Sequence, residues 1–409
     1  MTRWQLSNGL EVYLLPSESP FTAVVLAYRS GAAHEPPEAA GVAHLLEHLL
    51  FEDEEIAYDQ KIQSVGGLSN AYTGQDYTIY HARLPRDKAL LALELEAARL
   101  FALSLSSDKV AIQRQVVAEE FRQRYLNPPY ADRFFHILEM LFPDHPYGKM
   151  VIGRSPEQVS TLPEEAVRRF YDHFYTPAHA VLCIAGGGID EDMTRQIRLL
   201  YEHPKEGVPL PFIAPTEGLA FRERLRICHR PFIPQKAVFW AYRLPSLQAP
   251  ITHGIDLLDD FLGEVRSGFL VQRLVHEEAV ASRLHTIVWQ MHHGGIWLIE
   301  AYLLDGVSIE EYEDKLRRAL KELRETSLKQ VLEIYRPLRY LALYRQRSKV
   351  LGQALALAHA VLAGHPEWYE APLQPYEELN EEILRFIVHT YLDEERQVRL
   401  HYVPTDSST

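Results

Sequence analysis

Apolar and polar positions alternate along this chain in two runs of similar pattern, separated by a proline-rich stretch. In the first run, Asn8-Gly9 sits between two extended segments, a strong hairpin signal. Residues 11–15 and 22–28 read as strands, and 42–51 as a helix whose apolar positions recur at helical spacing. A helix over 56–64 stops at Gly66-Gly67. Residues 68–84 then alternate, with tyrosine and threonine at a density that suits a long strand or hairpin. Helices are expected over 87–105, from the cap Ser107-Asp108 toward Asn127-Pro128-Pro129, and over 131–141, 162–174 and 190–201. A buried strand at 179–185 ends in Gly186-Gly187-Gly188.

Residues 204–215, with four prolines, have the composition of a linker. After them the order begins again: strands at 222–229 and 237–243, a helix at 253–264, strands at 284–290 and 295–304. Helices follow at 308–326 and 331–363, the last broken near Pro337. The recurrence predicts an α+β fold of two related domains, 1–205 and 216–409, each a mostly antiparallel sheet with helices packed on it.

The chemistry concentrates in residues 41–51, G-V-A-H-L-L-E-H-L-L-F. Positions i, i+3 and i+4 share a helix face, so His44, Glu47 and His48 project together while Leu45, Leu46, Leu49 and Leu50 are left for packing. Two histidines one turn apart hold a zinc ion well, and a carboxylate between them is placed as a general base. The order H-x-x-E-H is the inverted form of a zinc peptidase signature. A catalytic zinc usually takes three protein ligands and a water, so an acid from another helix must complete the set. The pair Glu119-Glu120, within Val-Val-Ala-Glu-Glu-Phe, supplies a candidate on an amphipathic helix, the other glutamate being solvated. Asp53, Glu54 and Glu55 read as a solvated acidic face.

Composition narrows the partners. A chain of 409 residues, 47% hydrophobic, has material for more than one core. A formal net charge of −14 argues against nucleic acid and anionic membrane surfaces. Of two cysteines, Cys183 lies in an apolar run and reads as a core residue, and neither has a partner at C-x-x-C spacing. No run of 18 apolar residues occurs and the first residues show no signal pattern, so a cytoplasmic protein is expected. The triple glycine lacks the Lys-Ser/Thr of a phosphate loop, and His292-His293 lacks a carboxylate at helical spacing. Tyr77 and Tyr80 read as packing residues.

Several segments together resemble the pitrilysin-type zinc metallopeptidases, in particular the beta subunit of mitochondrial processing peptidase and its small bacterial relatives. They are Leu6-Ser-Asn-Gly-Leu10, the motif at 41–51, Gly66-Gly-Leu-Ser-Asn-Ala-Tyr-Thr73, Val116-Val-Ala-Glu-Glu120 and Tyr175-Thr-Pro177. The resemblance implies that His44, His48 and Glu120 bind one Zn²⁺ and that Glu47 is the base, with Glu119 the alternative third ligand. It implies that Asn70, Ala71, Tyr72 and Thr73 form an edge strand along which a peptide substrate adds. Gln113 stands where such proteins carry a supporting Glu. Val275 and Ser282 stand where the stretch resembling Leu-Arg-Glu-x-x-Gly-Leu-Ala-Tyr has its Arg and Tyr. The resemblance therefore implies a zinc endopeptidase subunit that dimerises, with itself or with a related chain that supplies Arg and Tyr. The alternative is a structural or assembly subunit with a vestigial site.

Overall fold

In the computed structural model, which describes residues 1–51, 57–247, 251–263 and 267–405, six strands form the first sheet. They are β1 (Thr2–Gln5), β2 (Glu11–Pro16), β3 (Phe21–Tyr28), β4 (Leu68–Thr73), β5 (Thr78–Pro85) and β6 (Ala180–Gly186), in the order β1-β2-β6-β3-β5-β4. Only β2 and β6 run parallel. The expected alternation over 68–84 is a hairpin, turning between Thr73 and Thr78.

Both faces of this sheet are covered, which is why β6 and nearly all of β3 are buried and read as continuous apolar runs. On one face Ala23, Val25, Ala27, Val181 and Cys183 pack against Ala354, Leu357, Ala358 and Val361 of the helix Val350–Leu362. On the other lie α1 (Val42–Phe51), α2 (Tyr58–Ser64), α3 (Ala89–Phe101) and α4 (Ser107–Phe121), with α1 against α4 and β4, α2 against β4 and α3 against β3. Helix α4 is capped one residue earlier than expected: Ser106 Oγ accepts from the Lys109 N–H at 3.3 Å. Cys183 is a free core thiol, as its sequence context suggests. The triple glycine closes β6 against the start of β3, with Thr22 Oγ1 donating to Gly187 O at 2.6 Å.

The second sheet comprises β7 (Leu225–Arg230), β8 (Ala237–Leu244), β9 (Ala281–Met291), β10 (Gly294–Leu303) and β11 (Gln397–Pro404), in the order β7-β11-β8-β10-β9. Only β7 and β11 run parallel. Strand by strand this repeats β2-β6-β3-β5-β4, so the two related α+β domains are a topological fact. Strand β11 and the helix Glu381–Tyr391 complete the repeat beyond the elements expected from the pattern. The expected helix over 253–264 is Ile251–Gly263, and Glu264 lies outside the described residues.

The chain divides into one unit of Met1–Gln123, Lys149–Phe212 and Leu343–Glu370 and another of Arg124–Gly148, Ile213–Ala342 and Ala371–Thr409. The linker stretch holds the division at Phe212 and Ile213, but residues 124–148 and 343–370 each group with the other half from the one that 1–205 and 216–409 assign them. A sheet needs cover on both faces. The helix Val350–Leu362 covers the first sheet, and the helix Arg133–Leu141 packs on β11 and β8 of the second. The apolar faces of these helices are legible in sequence, but not which sheet each covers.

The expected long helix over 331–363 is two. A π-turn, Val331–Tyr335, leads into Arg336–Arg347, with Pro337 tolerated at its second position; the break comes after Arg347, at Ser348-Lys349. There the chain folds back so tightly that a Cβ on Gly352 would lie 1.8 Å from Gln346 O. No helix among the described residues is long and apolar enough to cross a membrane. The acidic residues Asp53, Glu54 and Glu55 lie outside the described residues.

Candidate metal centre and active site

Helix α1 buries Val42, Ala43, Leu45, Leu46, Leu49 and Leu50, which fixes its rotation about its axis. The face left over carries His44, Glu47 and His48. Helix α4 buries Val110, Val117, Ala118 and Phe121, and that choice of face separates the two glutamates. Glu120 turns toward the histidines with its side chain 15% exposed, whereas Glu119 is 54% exposed and pairs with Arg122 at 3.5 Å.

His48 Nε2 lies 3.3 Å and His44 Nε2 4.0 Å from Glu120 Oε2. One ligand atom from each of the three lies within 4.8 Å of the others, and no other such group occurs among the described residues. Tetrahedral ligands about 2.0–2.1 Å from zinc are ~3.3 Å apart, so these side chains close on an ion of that size with small adjustments. The donor set, two imidazoles and a carboxylate, also suits zinc. His48 shows the pull of the site: burial disfavours its charged form, but Glu120, Glu47 and a hydrogen bond with Gln113 outweigh burial and raise its pKa. Gln113, 7% exposed, thus meets His48 with a neutral amide.

Glu47 is buried and accepts a hydrogen bond from Thr73 Oγ1 at the end of β4. Burial raises its pKa, Thr73, His48 and Arg99 act the other way, and Glu120 adds to the rise. Strand β4 is the outermost of its sheet and, among the described residues, pairs only with β5. Its side chains alternate: Thr73 meets α1, while Tyr72 OH lies 2.8 Å from His359 Nε2 on the helix of the opposite face. Ala71 is buried and Asn70 exposed. Tyr80 is buried as expected, 3.1 Å from Tyr175 OH, and Tyr77 packs edge-on to Tyr72. His292 and His293 occupy the β9–β10 turn, outside any ligand group.

Two features behind the site escaped the sequence reading. Arg99 and Glu96 form a fully buried pair at 2.8 Å, with Tyr58 OH donating to Glu96 at 2.6 Å and the guanidinium 3.9 Å from the Tyr58 ring centre and 4.3 Å from that of Tyr80. A Glu-x-x-Arg on the apolar face of α3 was the available signal. The second is the buried pair Glu35–Lys149 at the start of α1, at 2.8 Å. It joins residues too far apart in sequence to suggest one another.

Comparison with known proteins places these observations. Residues 12–153 match the family description Insulinase (Peptidase family M16), and residues 161–332 match Peptidase M16 inactive domain. The chain is 26% identical to the zinc protease PqqE of Helicobacter pylori over 80% of its own length and 75% of that protein. It is 37% identical to an uncharacterised zinc protease of Mycobacterium leprae, over 42% of this chain and 39% of that protein, so it spans well under half of the latter. Among solved structures, a protease from Helicobacter pylori superposes with a TM-score of 0.90 at 22% identity, covering 98% of this chain and 99% of that one. A chain of Complex III2 from Candida albicans shares the fold at a TM-score of 0.81 and 14% identity, covering 98% and 95%. With two descriptions of one family matching the two halves in order, and the inverted histidine–glutamate motif inside the first, the chain belongs to the pitrilysin-type peptidases of family M16.

Proposed function

We propose that this chain is the metal-binding subunit of a zinc endopeptidase that hydrolyses peptides or unfolded segments. The observation that carries the reading is the convergence of His44, His48 and Glu120 beside the buried Glu47. These three would hold the ion. Zinc in such a place supplies Lewis acidity, acidifying a coordinated water and polarising a carbonyl. Glu47 takes the proton of the attacking water at its carboxylate and delivers it to the leaving amine, while the Thr73 hydroxyl keeps that carboxylate in place. The free edge of β4, from Asn70 to Thr73, receives the peptide backbone as an added strand, which binds extended chains with little regard to sequence.

The second half lacks part of the expected constellation. Val275 lies in a short π-helical segment, and Ser282 Oγ is spent on Gln235 and Tyr302 O. Ala279, aligned with the motif's glycine, has φ +48°, the left-handed conformation glycine favours, which supports the alignment. A partner chain carrying Arg and Tyr at these positions would complete the enzyme and steady the oxyanion. A dimer of this chain with itself would be weak or inactive.

The same two positions favour a second reading, a structural or assembly subunit with a vestigial site. One experiment separates them. The purified chain is assayed on an unstructured peptide, alone and mixed with a related Arg/Tyr-bearing subunit, with zinc measured in each sample. Activity on mixing, lost by about 10²–10⁴-fold in Glu47→Gln while zinc stays bound, supports the peptidase. Zinc-free, inert protein in every mixture supports the structural reading.

A further inference from the structure

The polar contacts at the start of α1 form a chain that ends at the substrate strand. The backbone N–H groups of Gly41 and Ala43, immediately before and within the first turn of α1, donate to the two carboxylate oxygens of Glu35, each at 2.9 Å. The Glu35 side chain has no solvent exposure, and Lys149, its side chain 9% exposed, donates from Nζ to it at 2.8 Å. The carbonyl of Lys149 in turn accepts from Gln75 Nε2 at 2.8 Å. Gln75 belongs to the turn that closes the β4–β5 hairpin, two residues after Thr73. The backbone of that turn also accepts from Ala32 and Ala33, at 3.0 and 2.8 Å from Gly74 O and Gln75 O.

A helix start is ordinarily satisfied by a short side chain at the cap itself. Here the acceptor comes from six residues upstream of Gly41, and its counter-ion from 114 residues beyond Glu35. Burying a carboxylate and an ammonium is costly, and replacing such a pair by apolar residues is often neutral or stabilising. Stability alone is therefore a weak reason for the arrangement. Geometry offers a stronger one. Ala43, held by Glu35, directly precedes His44, and the Gln75 turn directly follows the strand whose Thr73 holds Glu47. The pair ties both ends of the active site to one buried point.

We propose that Glu35 and Lys149 are positioning residues that set the rotation and height of α1 against β4, and so the approach of His44 and His48 to Glu120. The inference rests on the zinc-site reading above. Its test uses the full chain and zinc alone as probe. Zinc affinity is measured by competition with a chromogenic chelator, and apo-protein stability by thermal unfolding, for wild type, Glu35→Gln, Lys149→Met, Lys149→Arg and the double variant Glu35→Gln/Lys149→Met. Both single neutralisations should weaken zinc binding about 10- to 100-fold, the range for loss of a supporting contact. The double variant, with no unpaired charge left, should regain apo stability but not zinc affinity. Lys149→Arg should retain both. If the double variant binds zinc as tightly as wild type, the pair is only a structural filler and the inference fails. Should Glu35→Gln not fold, Lys149→Met and the double variant decide the matter alone. Wild-type protein that binds no zinc would instead overturn the site reading itself, a result distinct from unchanged affinity in the variants.

Discussion

At the scale of single residues, the site is decided by which way a side chain faces. Glu119 and Glu120 are adjacent and chemically identical, yet one pairs with Arg122 at the surface and the other meets two imidazoles. The difference follows from the burial of Val117 and Phe121, which leaves position 120 on the inner flank of α4. Glu120→Gln should therefore weaken zinc binding by more than about 100-fold, beyond the usual loss for an outer-shell partner. Glu119→Gln should leave it unchanged, since exposed ion pairs contribute little. Equilibrium dialysis against zinc checks both. Equal losses in the two variants would contradict the orientation of α4. Gln113 is the finer case: the sequence shows an amide one turn before Val117 on the same helix, but only the tertiary structure brings it into hydrogen-bonding contact with His48.

At the scale of elements, the two halves share a strand order but not a charge arrangement. In the first, the helix after β3 carries the histidines. In the second, the helix Ile251–Gly263 carries Asp256, Asp259 and Asp260, and Arg339 sits 2.9 Å from Asp260 and 3.0 Å from the carbonyl of Asp256. A guanidinium, always charged, there offsets part of the helix's negative charge. Elsewhere in the second unit Glu313 ties a helix to its sheet, accepting from Trp240 at 3.0 Å, His401 at 2.9 Å and Arg399 at 2.9 Å. Burial alone would raise its pKa, but these donors win and pull it from 4.5 down to about 2. A depressed acid stabilises the fold above its unfolded pKa, and that contribution disappears as pH falls from 4.5 through about 2. It amounts to on the order of 3 kcal/mol. Denaturant unfolding of Glu313→Gln should thus show a shallower loss of stability across that window than wild type. Parallel pH curves would mean the donors do not act on Glu313 as the distances suggest.

At the scale of the whole molecule, the group of candidate metal ligands found among the described residues, His44, His48 and Glu120, belongs to the first unit. Zinc at a hundred times its dissociation constant should add about 2.7 kcal/mol to the unit that binds it. Hydrogen exchange followed peptide by peptide, with zinc and with chelator, should show protection gained in α1 and α4 and none in Ile251–Gly263. Protection spread evenly over both units would place the ion elsewhere.

The local and the repetitive were legible in sequence. A five-residue motif on a helix needs only helical geometry to bring His44, Glu47 and His48 together, and alternation over several residues needs only the pleat of a strand. Those forces act between near neighbours, so the α+β pattern, its repetition and the helix that carries both histidines could be read directly. Tertiary structure decided which sheet each covering helix joins, which of two adjacent glutamates turns inward, and that Lys149 reaches Glu35. These outcomes depend on competition among apolar faces that are alike in composition and distant in the chain, and only packing in three dimensions resolves that competition.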